Sequence, residues 1–180
     1  MTWGVWGKQF STKEMEVMIH HCFDHADIYG GYTTEEEFGK AFNTSGINRK
    51  EIQLISKCGI QYMSDNRNNK VKHYDYSKDY IIWSVEESLK NLHTEYLDLL
   101  LLHRPSPLMH PNEIAEAITI LKKQGKIKDF GVSNFTVLQM DMLKDLKISY
   151  NQINFSLTQL DYMYNGTLEY MQANNINPMA

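Results

Sequence analysis

The sequence predicts an α/β domain of parallel strands joined by crossover helices. Three observations predict it. Short strand-like runs alternate with helix-like runs along the whole chain. The run Tyr96–Leu102 is apolar except for Asp98, the mark of a strand buried on both faces. Ionisable or amide side chains recur where the strand-like runs end. The 180 residues suffice for one domain with a real core, and 42% hydrophobic residues place the chain among globular proteins.

The elements follow in order. Met1–Val5 reads as a strand. Ser11-Thr12-Lys13-Glu14 is a capping box that opens a helix running to about Cys22. Phe23–Ile28 reads as a strand. Thr34 is the expected N-cap of a helix to Phe42, with three glutamates at its positive end. Ile52–Lys57 is a strand, and residues 60–76 read as a long irregular polar loop. Ser77–Leu92 is the clearest helix, with Ile81, Ile82, Val85, Leu89 and Leu92 on one stripe. After strand Tyr96–Leu102, a helix Pro111–Gln124 is closed by Gly125. Strand Ile127–Val132, helix Leu138–Leu146, strand Ser149–Phe155 and helix Leu168–Asn174 continue the alternation. Pro178–Ala180 opens another strand.

These are six strand–helix units and a stub. An open doubly wound sheet and a (β/α)8 TIM barrel both have this alternation. No G-x-G-x-x-G or G-x-x-x-x-G-K-[ST] phosphate loop is present to favour the open sheet. A barrel needs eight units and about 250 residues. Either the sheet is open or the chain is incomplete.

Composition bounds the partners. A net charge of −4 without long runs of one sign argues against nucleic acid or an anionic membrane. The longest apolar stretch, around Leu99–Leu102, is far short of a membrane span. The opening residues carry no secretory signal, and Cys22 and Cys58 lack disulfide or metal spacing. A cytoplasmic protein is expected, with both cysteines as small core residues.

The strand ends carry the chemistry. Asp24 lies in the second strand and Tyr29 just beyond it. Ser56-Lys57 ends the third, His103-Arg104-Pro105 follows the fourth, Ser133-Asn134 follows the fifth, and Asn151-Gln152 belongs to the sixth. A phenol with a pKa of roughly 10 is a reluctant acid at neutral pH. A neighbouring ammonium favours phenolate, and a carboxylate keeps that ammonium charged and in place. A neutral histidine orients a carbonyl oxygen. Tyr29, Lys57, Asp24 and His103 therefore make a sensible general acid for an alkoxide formed by hydride addition. The hydride must come from a cofactor, since no side chain supplies one.

The segments FDHADIYGGY, LISKCG, YLDLLLLHRP, FGVSNF and NQI, in this order and spacing, resemble the aldo-keto reductase family. The likeness is greatest to its bacterial branch of oxidoreductases with DHADIYGGY and HRPxPLM motifs. The resemblance implies a (β/α)8 barrel, of which about six units are present, that reduces aldehydes and ketones with NADPH, NADH being the alternative donor. It implies a catalytic tetrad of Asp24, Tyr29, Lys57 and His103. Ser133, Asn134 and Gln152 match the residues that hold the nicotinamide carboxamide. Arg104 and Trp3 are candidates for the pocket wall.

The expected partner is a small-molecule carbonyl substrate, with no metal, and the oligomeric state is left open. Against the family pattern, residues 1–180 read as one barrel domain truncated at both ends. A splice at Cys22–Phe23 is expected too, because helix meets strand there without a connecting turn. The segment that holds the 2′-phosphate of NADPH is missing from the pattern. The rival reading is a nicotinamide-nucleotide-binding or sensing module without turnover, or an inactive fragment.

Other residues read as structural. Asp27 is a structural or loop-orienting acid. His20, His21, His73, His93 and His110 are surface residues. Met140, Met142, Met163 and Met171 are core filling.

Overall fold

The computed structural model describes Ser11 and residues 22–180. The strand expected over Met1–Val5 and the body of the helix expected before Cys22 lie outside the described residues. Six strands form one parallel sheet: β1 Cys22–Asp24, β2 Gln53–Cys58, β5 Leu97–Leu102, β6 Ile127–Ser133, β7 Tyr150–Gln152 and β8 Asn177–Met179. The order across the sheet is β1-β2-β5-β6-β7-β8, which is also the order along the chain. A doubly wound sheet reverses its order at a switch point. This one does not, so it is the singly wound sheet of a partial (β/α)8 barrel. Helices α1 Thr34–Ser45, α2 Lys78–Asn91, α3 Pro111–Lys123, α4 Val137–Asp141 and α5 Thr167–Ala173 lie between successive sheet strands.

Both sheet faces are buried. Leu54, Leu100, Leu102, Phe130 and Val132 join helix residues such as Phe38, Ile81, Val85, Ile118 and Leu121 in the main core. Ile55, Leu99 and Leu101 pack on the opposite face with Tyr150 and Met179. Asp98 is the one carboxylate in this apolar strand. It accepts from Arg49 Nη2 at 2.7 Å and from the Leu54 amide at 2.9 Å, and pairs with Lys128 at 2.9 Å.

Several expected boundaries are corrected. The strand expected over 23–28 spans Cys22–Asp24. Its ladder still continues through His25 N–H to Ile55 O (2.8 Å) and Asp27 N–H to Lys57 O (3.0 Å). The chain then folds into the tight turn Tyr29–Gly31, which Gly30 and Gly31 permit with φ of 61° and 67°. Thr34 is the first helical residue and not the N-cap. Thr33 occupies the cap position, and its hydroxyl donates to Gly30 O instead.

The loop expected over 60–76 contains an antiparallel hairpin, β3 Ile60–Gln61 with β4 His73–Tyr74. The helix expected over 138–146 ends at Asp141 because the bonding tightens there. The Lys144 and Leu146 amides bond three residues back, to Asp141 and Leu143. The strand expected over 149–155 is Tyr150–Gln152. Beyond Ile153 the backbone leaves the sheet, and the Asn154 amide bonds the Asn134 side chain. Met140 and Met171 fill the core as expected, but Met142 and Met163 are exposed, the first just past the end of α4 and the second at the end of the short 3-10 turn Asp161–Met163. His73, His93 and His110 are exposed as expected; His20 and His21 lie outside the described residues. Cys58 is buried in the core.

Candidate active site

Parallel pairing sets the site. β2 lies between β1 and β5, in register Asp24 with Ile55 and Lys57 with Leu101. Lys57 points to the interior face and is 2% exposed, so its ammonium needs partners. Nζ finds three: Asp24 Oδ1 at 2.7 Å, the His25 carbonyl at 3.0 Å and Tyr29 Oη at 3.4 Å. The same ammonium lies 5.2 Å from the Tyr29 ring centroid. His103 follows β5, its amide bonded to Cys58 O at 2.9 Å. Its ring meets Tyr29 edge-on, with centroids 5.8 Å apart and planes at 81°. The four residues of the expected tetrad are therefore one cluster at the C-terminal ends of the strands.

Burial lowers the His103 pKa to about 3, with Lys57 and Arg104 adding to the effect. The imidazole is neutral at ordinary pH, and its buried Nδ1 has no hydrogen-bond partner among the described residues. Tyr76 fixes the chain just beyond it. The Tyr76 hydroxyl accepts from the Arg104 amide at 3.2 Å and donates to the Arg104 carbonyl.

Ser133, Asn134 and Gln152 meet at the ends of β6 and β7. Asn134 takes a left-handed conformation with φ of 56°. Its amide bonds Gln152 O at 2.7 Å, and its Nδ2 donates to Ser133 Oγ at 3.1 Å. Asn134 Oδ1 accepts from Tyr162 Oη and from the Asn154 amide. Gln152 Nε2 donates to Asp24 Oδ2 at 3.0 Å, which joins this set to the tetrad. The Arg104 side chain is exposed beside the cluster, and Trp3 lies outside the described residues.

A second polar layer lies behind the cluster, built on Asp27, which the sequence marks as a structural or loop-orienting acid, and on Glu35, Tyr80 and Ser84, which sequence reasoning missed. Asp27 Oδ2 accepts from Tyr80 Oη (3.0 Å) and Ser84 Oγ (2.9 Å) on α2. Glu35 accepts from Ser56 Oγ at 2.5 Å. Burial raises Asp27 to about 6 and Glu35 to about 7. Glu35 shares a helix face with Phe38 and Phe42, a spacing that marks it as inward. His25, also missed, is buried against Phe38 with ring centroids 4.6 Å apart, and burial lowers its pKa to about 3. Among the described residues no group of three or more His, Cys, Asp or Glu side chains could hold a metal ion. No helix among them is long and apolar enough to cross a membrane.

Known proteins resemble this chain in sequence and in fold. The oxidoreductase YcsN of Bacillus subtilis, itself uncharacterized, is 46% identical over 182 residues, covering 95% of this chain and 61% of that protein. A 6-dehydroglucose reductase of Agrobacterium fabrum is 40% identical over 161 residues, covering 87% of this chain and 54% of that protein. The solved aldo-keto reductase AKR11C1 from Bacillus halodurans, in its holo form, superposes with a TM-score of 0.79 at 27% identity, over 93% of this chain and 55% of that one. The chain thus spans a little over half the length of the relatives it matches. The sequence pattern of the Aldo/keto reductase family matches residues 16–180, and the chain belongs to that family.

Proposed function

We propose that the protein reduces aldehydes or ketones to alcohols with NADPH as hydride donor, NADH being the alternative, and that Tyr29 is the general acid. The observation that carries this reading is the Lys57 ammonium, bonded at once to Asp24 and to the Tyr29 hydroxyl. The residues present suit a nicotinamide. With Gln152 Nε2 committed to Asp24, Gln152 Oε1 is available to accept from a carboxamide NH2. The Ser133 hydroxyl accepts from Asn134 and keeps its own proton to donate. When bound, the cofactor supplies the hydride that adds to the carbonyl carbon.

The chain's own residues do the rest. His103, neutral and buried, donates a hydrogen bond to the carbonyl oxygen and orients it. Tyr29 gives its phenolic proton to that oxygen as negative charge develops there. Lys57 stabilises the phenolate left behind, and Asp24 keeps Lys57 charged and aimed. The phenolate then regains a proton from solvent. A sugar aldehyde or ketone is the first substrate class to test, because the 6-dehydroglucose reductase is among the relatives.

The deciding experiment is Tyr29→Phe. It should abolish carbonyl-dependent NADPH oxidation across an aldehyde and ketone panel while leaving the cofactor dissociation constant unchanged. Turnover retained by that variant overturns the assignment. Cofactor binding by the wild-type protein without turnover on any carbonyl favours a binding module instead.

A further inference from the structure

We infer that Asp27 is a positioning residue for this reduction, holding the turn that carries Tyr29 against both the strand that carries Lys57 and helix α2. The inference rests on the reductase reading for its kinetic readout only.

Asp27 is 7% exposed and lies two residues before Tyr29. Its amide donates to Lys57 O at 3.0 Å, and the Tyr29 amide donates to Ala26 O at 3.1 Å. Its carboxyl takes two hydroxyl donors, Tyr80 Oη and Ser84 Oγ, from α2. One residue thus fastens together the backbone of the catalytic lysine, the turn of the catalytic tyrosine and a helix on the outer face. A second clamp works in parallel. The Arg67 guanidinium lies over the Tyr32 ring (4.7 Å) and the Trp83 ring (4.3 Å), bridging the far end of the same turn to α2. Tyr32 also exchanges hydrogen bonds with the Tyr62 backbone, and Ser64 Oγ donates to Gly31 O at 2.9 Å.

The position is a costly one for packing alone. Asp27 Oδ1 is buried without a hydrogen-bond partner among the described residues. A buried carboxyl with one oxygen unsatisfied costs stability that an apolar side chain would not. Glu35 of α1 adds a like charge nearby, and Arg67 offsets it in part. What the acid provides and an apolar residue cannot is two directional bonds to α2. Tyr29 needs that precision, because displacing an acid by about 1 Å can cost a factor of up to roughly a hundred in rate.

The test removes the donors and leaves Asp27 in place. In Tyr80→Phe/Ser84→Ala, kcat should fall about tenfold with the cofactor dissociation constant unchanged. Asp27→Asn, whose amide oxygen still accepts from both hydroxyls, should stay within about threefold of wild type. Hydrogen exchange gives an arm independent of activity. The Asp27 and Tyr29 amides should exchange at least about tenfold faster in the double variant, while those of Leu99 to Leu101 in β5 keep their protection. Ser84→Ala alone carries the same expectation at smaller amplitude should the double variant not fold.

In an active enzyme, an unchanged kcat overturns the inference. Exchange that accelerates throughout β5 also overturns it, because the bonds would then serve stability in general. If the wild-type protein reduces no carbonyl, the reductase reading fails and the exchange arm alone decides this one.

Discussion

Gln152 Nε2 donates to Asp24 Oδ2 at 3.0 Å, a bond between residues 128 positions apart. The other oxygen, Asp24 Oδ1, is held by Lys57. Asp24 is therefore shared. One oxygen steadies the ammonium beside Tyr29, and the other turns the Gln152 amide so that its carbonyl faces away from the carboxylate.

Gln152→Leu removes both the donor to Asp24 and the oxygen offered to the cofactor carboxamide. Affinity for NADPH should weaken about tenfold, the cost of leaving a polar partner unpaired. Gln152→Glu should be worse, since it sets a second carboxylate against Asp24. Quenching of intrinsic fluorescence on titration with NADPH measures both. A dissociation constant that Gln152→Leu leaves unchanged would remove Gln152 from the cofactor set.

His103 predicts a silence. Burial, then Lys57 and Arg104, hold its pKa at about 3. The ring should stay neutral from about pH 5 upward, so its proton resonances should not titrate between about pH 5 and 8. The pH dependence of kcat/KM between about pH 5 and 8 should accordingly keep its shape in His103→Gln, at reduced amplitude. A His103 resonance that titrates near the ordinary histidine value contradicts the neutral-ring mechanism.

The grouping of Asp24, Tyr29, Lys57 and His103 was legible because each follows or ends an apolar run, and parallel strands bring such ends together. The layer behind them was not. Tyr80 and Ser84 look like the polar face of an amphipathic helix until the sheet shows which side α2 presents to Asp27. Glu35 was hidden among three glutamates that the helix dipole already accounts for. The β3–β4 hairpin has two-residue strands, too short to register as alternation. Helix α4 was overextended because apolar spacing persists past Asp141 while the hydrogen bonds shift to three-residue turns.

Gly39 makes a separate prediction about packing. A Cβ there would lie 1.9 Å from the carbonyl oxygen of Asn91, the last residue of α2. Alanine normally favours a helix over glycine by about 1 kcal/mol. Here the obstacle is backbone, which cannot yield cheaply, so Gly39→Ala should destabilise by about 2–3 kcal/mol net. That corresponds to a Tm lower by roughly 5–10 °C. Gly46→Ala, with φ of 72° but nothing within 4 Å of its Cβ, should cost less. A Gly39→Ala protein that melts with the wild type would mean that α1 and α2 do not meet as described.

The buried titratable groups predict a stability profile with two opposed slopes. His25 and His103 are held at about 3, so between about pH 4.5 and 6.5 the unfolded chain binds protons there that the folded chain does not. Their contribution to stability is full above the ordinary histidine value and is lost as pH falls. Asp27 and Glu35 are raised to about 6 and about 7, so in the same window the folded chain holds the extra protons. Their contribution is full at low pH and is lost as pH rises.

Each pair is worth on the order of 4 kcal/mol across this window, so the two nearly cancel in the wild type. Asp27→Asn/Glu35→Gln removes the falling slope and keeps acceptor oxygens for Ser84, Tyr80 and Ser56. Relative to wild type, the variant should gain on the order of 4 kcal/mol between about pH 4.5 and 6.5. Urea unfolding at the two pH values measures the difference directly. Parallel wild-type and variant profiles would show that Asp27 and Glu35 ionise in the folded protein as they do in water.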